Sequence, residues 1–473
     1  MRVRRTTLIT VGCLATLAGI GLSRKVSFDP GHLILLLIAL LILLPRKNLA
    51  SLTVVIVLGL AFGLWQGTVY MDHVDDIQAL SGQKVTLAVT AKTNSVYGKK
   101  SQMEFSAGNA KLIEPFQQDL AGSFAINGFG VNMVYRGDQI RVSGKLYPSR
   151  GSNQARISYA ELSKMATDSN WLNSLTRKFS AGMYNALPEP QASFGLGILI
   201  GQRSNLPDYT LLALSVVGLT HIIAVSGYNL TILVRGVGRV KRVFGSKFQR
   251  LVISLLLIGT FVLITGFSAS IIRAALISGL GLWAWYYGRN LRPILALALV
   301  AAVTGLANPF YVWGDIGWYL SFLAFFGVLI MAPLILKWLF GEKEQKGLTL
   351  ILFETLAAYL MTLPLIMFIF GKLSVVALLA NLLVVPLVPF AMLFSAIAGL
   401  AGMLAPLYAG WLALPAQLLL TYMLDVAYWL SGLSFAQLLT SLSGIQMIIL
   451  YAAIGIFVAV LATQAKRSKT PQG

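Results

Sequence analysis

Cysteine is almost absent from this chain. Cys13 is the only one in 473 residues, so no disulfide closes within one copy and no thiolate cluster can hold a metal. Histidine is nearly as scarce: His32, His73 and His221 lie too far apart for an HExxH or HxHxDH pattern, which excludes the metal chemistry of soluble hydrolases. Charge is low as well, at 11% of residues, where soluble proteins average about 25%. A GxxxxGK[ST] phosphate loop is also missing, so any energy input must come from another protein. Neither a cofactor nor an enzymatic activity is expected.

Apolar sequence is what the chain has in excess. Hydrophobic residues make up 57% and the mean hydropathy is +0.76, and runs such as Leu348 to Phe370 reach the ~20 residues that span a bilayer. The fold class is a polytopic α-helical membrane protein with about 12 transmembrane segments and an inserted, small all-β domain.

Residues 1–67 carry three closely spaced apolar segments, Thr6 to Leu22, Leu33 to Leu44 and Leu49 to Trp65. The first superficially resembles a signal peptide, but no small-x-small cleavage site precedes a soluble region. Residues 68–168 change character: Val85, Leu87 and Val89 alternate, and Ile140, Val142 and Gly144 follow the turn Arg136-Gly137-Asp138 in the same rhythm. Further strand candidates are Gln102 to Ser106, Ala110 to Ile113, Phe124 to Ile126 and Ala155 to Leu162, which together suit a sandwich or an OB-like barrel. Residues 169–190 form an amphipathic helix expected in the membrane interface. Phe194 to Ile200 is too short to span, but longer apolar segments fill the rest of 191–465, ahead of a basic tail at 466–473.

The net charge is +20, from 37 Lys and Arg against 17 Asp and Glu. A cytoplasmic amino terminus places 68–168 outside, and twelve crossings place both termini inside. Arg2, Arg4 and Arg5, Arg46 and Lys47, the cluster from Arg235 to Arg250, Arg289, Arg292 and the tail residues Lys466, Arg467 and Lys469 then all face the cytoplasm. Most of the excess charge therefore reports orientation in a cytoplasmic (inner) membrane rather than a ligand.

Polar groups at membrane depth are costly and face protein or water. GLTHIIAVSGYNL places His221, Ser226, Gly227 and Asn229 there, either as interhelical hydrogen-bond partners or as the lining of a wet path. Arg273 needs an anion, for which Asp315 and Asp425 are the candidates, and a structural ion pair weighs about evenly against a phosphate contact. Asp315, Tyr319 and Ser321 follow Asn308-Pro309, although Trp313, Trp318 and Tyr319 also suit interfacial anchors. Asn381 and Pro386, with Pro389, put an amide and two helix breakers into one apolar run. In the outer domain, residues 81–164 hold 11 Lys and Arg against five acidic residues, a net of +6. Tyr97, Lys99 and Lys100 share one loop and Arg136, Arg141 and Lys145 surround one strand. That combination suits single-strand nucleic-acid binding, and a mild positive charge is also common on solvated domains.

GLTHIIAVSGYNL at 218–230, SASIIRAAL at 268–276, NPFYVWGDIGWYLSFLAFFG at 308–327 and NLLVVPL at 381–387 together resemble the competence domain of the ComEC family of membrane DNA-uptake channels. The β domain resembles, more loosely, the OB-type domain that precedes it in that family. The resemblance implies passage of single-stranded DNA across the cytoplasmic membrane during natural transformation. It also implies a DNA path bordered by His221, Ser226, Gly227, Asn229, Arg273, Asp315, Tyr319, Ser321, Asn381 and Pro386. Tyr228-Asn229 stands where the family commonly has Leu-His, and Trp318-Tyr319 where it has Phe-Gln. Implied partners are single-stranded DNA, the lipid bilayer, a DNA-receptor protein and a cytoplasmic helicase-like motor, with homo-oligomers left open. Many members continue into a metallo-β-lactamase-like domain, so here the nuclease is expected on a separate polypeptide. The other class of reading is a secondary transporter of a small anion or lipid-linked solute, with His221 and Asp315 in proton coupling.

Overall fold

The structure is a computed structural model that describes residues 3–28, 31, 49–98, 102–131, 133–148, 153–167, 170–202, 205–223, 230, 246–266, 269–341, 343 and 345–467. In chain order its elements begin with α1 (Arg5–Ser23) and α2 (Leu49–Ala79). Six strands follow: β1 (Lys84–Ala91), β2 (Val96–Tyr97), β3 (Met103–Glu114), β4 (Gln118–Phe129), β5 (Gln139–Pro148) and β6 (Ala155–Ala166). Then come α3 (Trp171–Ala186), α4 (Gln191–Ile200), α5 (Asp208–Val216), α6 (Thr220–Ile223), α7 (Lys247–Thr265), α8 (Ala269–Tyr286), α9 (Pro293–Ala307), α10 (Phe310–Gly314) and α11 (Ile316–Phe326). The remainder is α12 (Ala332–Phe340), α13 (Leu348–Phe370), β7 (Lys372–Ser374), α14 (Ala377–Val384), α15 (Val388–Leu404), α16 (Ala409–Ser431), β8 (Gln437–Leu439) and α17 (Gly444–Arg467).

Among the described residues eight helical stretches are long and apolar enough to cross a membrane: Arg5–Ser23, Ala50–Met71, Lys247–Thr265, Ile316–Phe340, Leu348–Phe370, Ala377–Leu404, Pro406–Ser431 and Gly444–Gln464. The chain is thus a multi-pass membrane protein, and the expected count of about 12 is not confirmed among the described residues. The segment Leu33 to Leu44 lies outside the described residues, as does most of 224–245. The expected span at 294–307 is only the 15-residue helix α9.

The chain divides into two compact units, Met1–Arg177 with Ile258–Trp318, and Lys178–Leu257 with Tyr319–Gly473. In the first, α1 and α2 run parallel, with Gly12 beside Val55, Gly59 beside the Gly12 carbonyl and Gly67 beside Ser23. The α9 helix is parallel to α1 as well, since Arg292 meets Thr6 at one end and Gly305 meets Leu17 at the other. The amino-terminal end of α1 and the 287–292 turn therefore lie together, away from the barrel.

The β domain begins later than the composition change at residue 68 suggests. Helix α2 continues to Ala79, and its spacing carries Val74, Ile77 and Leu80 inward, the last two into the barrel core. The strands close in the order β1-β5-β6-β4-β3-β1, with β4 and β6 as the parallel pair. Val85, Leu87, Phe124, Ile126, Ile140, Val142 and Ile157 alternate into its interior. The two strands expected at 102–106 and 110–113 are one strand, β3. Its register shifts between Gly108 and Ala110, where Asn109 takes a left-handed φ of 47°.

In the second unit α4 is buried along nearly its whole length, from Ala192 to Ile198. The carboxyl half of α3 packs on α15, where Gly182 lies against the backbone of Gly399 and Gly402 and the Phe179 ring covers Gly399, while Trp171 and Leu175 nearer its start are exposed. A π-helical turn at Gly327–Met331 joins α11 to α12, and a 3₁₀ turn at Val385–Leu387 breaks α14 from α15. The latter is where Pro386 and Pro389 withdraw backbone donors from the helix ladder. Strands β7 and β8 pair antiparallel, which ties the loop after α13 to the one before α17.

Candidate functional site

Arg273 sits in the second turn of α8 and is 1% exposed. Its Nη2 donates to the Gly317 carbonyl at 3.1 Å. Of the two aspartates that the sequence offers, Asp315 is the one whose carboxylate acts on this guanidinium, together with Tyr311. Asp315 also opens α11: its Oδ1 accepts the Trp318 backbone N–H at 2.7 Å, as an N-cap residue does. The Trp318 ring is buried and its Nε1 donates to Thr304 Oγ1 at 3.0 Å. One buried cation thereby fixes the start of a membrane helix.

From this cluster a chain of polar side chains leads to the barrel, all within the first unit. The Tyr311 hydroxyl lies beside the side chain of Asn308. Asn308 Oδ1 accepts from the Phe310 N–H at 3.1 Å and from the Tyr70 hydroxyl at 3.3 Å. The Tyr70 hydroxyl in turn accepts from Nε2 of Gln154, which is buried just ahead of β6 and whose Oε1 takes the Ser123 N–H. Trp313, a candidate interfacial anchor by sequence, instead donates from Nε1 to the Ile20 carbonyl at 2.7 Å and packs edge-on against Phe310 and Tyr70.

Asn308→Ala removes the acceptor shared by Tyr70 and Phe310. A loss of about 1–3 kcal/mol is expected for the groups left unpaired. Thermal unfolding of the purified chain checks it, with Gln345→Ala, on an exposed loop, as the neutral control.

Two further contacts tie the barrel down. Asp138 is fully buried and pairs with Lys164 at 2.9 Å and Arg177 at 3.7 Å, with the Arg177 guanidinium 5.3 Å from the Tyr135 ring centre. Arg136, a candidate for DNA contact, donates from its Nη1 to the Leu263 carbonyl at 2.9 Å, capping the end of α7. Gly266, at φ 95°, provides the room, because a Cβ there would lie 3.3 Å from that nitrogen.

The other sequence candidates are dispersed. Ser226, Gly227, Asn229, Lys99 and Lys100 lie outside the described residues, and Tyr97 is placed only as backbone in β2. In the second unit His221 is on the short α6, where its Nδ1 contacts the Gly218 carbonyl at 3.0 Å. A carbonyl only accepts, so Nδ1 carries the proton and Nε2 is left for another partner. Asn381 is buried and its Nδ2 donates to Ala377 O at 2.8 Å, within its own helix. Pro386 is half-buried in the 3₁₀ turn, Tyr319 is partly exposed on α11, and Ser321 is half-buried two residues further along it. Arg141 and Lys145 are exposed on β5.

Fold and site together define a multi-pass membrane protein that holds a β barrel by a polar chain running to a buried arginine. The chain belongs to the competence protein family, of the ComEC type: the family described as "Competence protein" matches residues 198–465. It is 28% identical over 214 residues to ComE operon protein 3 of Bacillus subtilis (strain 168), a stretch that is 45% of this chain and 27% of that relative. The match thus spans about a quarter of the relative's length. No solved structure matches the chain.

Proposed function

We propose that the chain forms the membrane path through which a single DNA strand enters the cell during natural transformation, with the barrel outside the cytoplasmic membrane as its guide. Membership of the competence family over 198–465 is the observation that carries this reading. The orientation is supported by Arg4, Arg5, Arg289 and Arg292, all exposed at the end of the first unit away from the barrel.

The outer surface of the barrel supports a polyanionic partner. Its connectivity, counted over the five long strands, is that of an OB-type barrel, a fold that carries single strands on its surface. Lys84 on β1 stands directly opposite Lys145 on β5, a like-charge pair that is unfavourable unless an anion lies across it. Arg156 on β6 faces Tyr147, its guanidinium 5.4 Å from the ring centre, and Lys145 approaches the same ring at 5.9 Å. Tyr159 projects from a bulge in β6 at φ 55° and is 63% exposed. Cations interleaved with rings suit phosphates and stacked bases. A motor and a DNA receptor are the further partners this reading calls for.

Deleting the chain should leave labelled DNA bound at the cell surface and remove it from the cytoplasm. Internalisation at the wild-type level would overturn the reading. For the barrel, the full chain should bind a single-stranded oligonucleotide less tightly as salt rises. Replacing Arg141, Lys145 and Arg156 by Gln should lower the slope of log K against log salt by about 2, at ~0.7 per phosphate contact. Binding that ignores salt would remove the barrel from the DNA path.

A further inference from the structure

We propose that the cavity between the first turns of α1 and α9 binds the phosphate headgroup of an anionic phospholipid. It has a volume of about 240 Å³ and lies at the end of the first unit away from the barrel. Its polar side is Thr6, Thr7, Thr10 and Arg292, and its apolar side is Val11, Ile294 and Leu295.

The polar side supplies donors, which is what a phosphate oxygen requires. Arg292 Nη1 donates to Thr6 Oγ1, so the Thr6 hydroxyl keeps its own proton for an external acceptor. Thr10 has already spent its proton on the Thr6 carbonyl at 2.9 Å, which leaves Thr6 and Thr7 as the hydroxyl donors. Arg292 is exposed and has no carboxylate partner among the described residues, so most of its planar donor fork remains for a tetrahedral anion. Arg4 and Arg5 are exposed at the same helix end and raise the local positive potential.

The apolar side decides between a free phosphate ester and a lipid. Ile294 is 57% exposed beside the guanidinium, and Val11 and Leu295 continue the surface along the two helices. A soluble phosphate gains nothing from that surface, whereas an acyl chain descending from a headgroup covers it. Basic pockets between membrane helices on the cytoplasmic side have this form. The site is independent of the DNA reading, since neither nucleic acid nor any residue of the polar chain takes part.

The test uses the full chain in neutral detergent, with lipid retention measured by native mass spectrometry. Dioleoyl phosphatidylglycerol should be retained at least fivefold more strongly than dioleoyl phosphatidylcholine. Arg292→Gln should abolish that preference, and Thr6→Val, which keeps every charge, should weaken it. Lys346→Gln, in the second unit, should leave it intact. Equal retention of the two lipids, or unchanged preference in both Arg292→Gln and Thr6→Val, would overturn the proposal. Inorganic phosphate bound at this cavity without retention of phosphatidylglycerol would assign it to a soluble ligand and overturn the lipid assignment. Monodisperse elution of each variant separates loss of binding from loss of fold.

Discussion

Arg273→Met should leave the chain poorly folded and unable to import DNA, and adding Asp315→Asn should restore folding without restoring import. The first expectation follows from burial. Arg273 is 1% exposed and shares its surroundings with the Asp315 carboxylate, so removing the cation leaves an anion without its compensating charge. The variant also strips the Gly317 carbonyl of its donor, and with Asp315 only half-buried the loss is about 1–3 kcal/mol, a large share of a typical stability. Asparagine at 315 removes the stranded charge yet retains an oxygen for the Trp318 N–H, because Asn caps a helix about as well as Asp. Thermal unfolding of the purified variants and import of labelled DNA are the two measurements. If the double variant regains both properties, Arg273 serves only to hold α11 and does not belong on a DNA path. If it folds but imports nothing, the guanidinium does something that the packing does not require, and contact with passing phosphates is the role that fits the proposed function.

Those residues were legible in the sequence for a physical reason. A charge inside an apolar run demands a counter-charge, and Asp315 was one of two candidates at the right depth. The barrel was legible because strands covered on one face alternate with period two, as Val85, Leu87 and Val89 do. Its true start was hidden. Asp72, Asp75 and Asp76 look like the onset of a soluble domain, yet α2 keeps its helical period through them to reach the barrel core. The joining of two expected strands into β3 was hidden too, because a bulge at Asn109 breaks the alternation without ending the strand.

The hydrogen-bonded chain from Gln154 through Tyr70 and Asn308 left no trace beyond the Asn308-Pro309 turn. Its members are distant in sequence, and each is an ordinary polar residue at the edge of its own segment. Arg136 shows the opposite problem. Its composition context, basic and beside a strand, suited a nucleic-acid surface, and only the placement of the α7 carboxyl end beside the turn reveals a capping contact. The broken helix at Pro386 was readable because proline acts on the backbone locally, whatever the tertiary surroundings. One signal was present and unused: Gly59, Gly63 and Gly67 recur every fourth residue on α2, the spacing by which membrane helices bring their backbones together.

That spacing leads to two glycine substitutions on the paired helices with effects of opposite sign. Alanine at Gly21 of α1 should be neutral or stabilising, since its Cβ meets nothing within 4 Å and alanine favours a helix over glycine by about 0.5–1 kcal/mol. Alanine at Gly63 of α2 gains the same propensity but places its methyl inside the Thr16 carbonyl, with Ile20 N at 2.9 Å. Both neighbours are backbone, so no side-chain rotation relieves the overlap and α1 must move away. Overpacking of this kind costs typically about 1–3 kcal/mol, which outweighs the propensity gain. The loss should extend past the helix pair, because α2 ends with Ile77 in the barrel core and Tyr70 in the polar chain to Arg273. Limited proteolysis of the purified chain should therefore cut the barrel faster in Gly63→Ala than in the parent protein, and no faster in Gly21→Ala. Equal protection of the two variants would mean that α1 and α2 do not pack through their glycine faces.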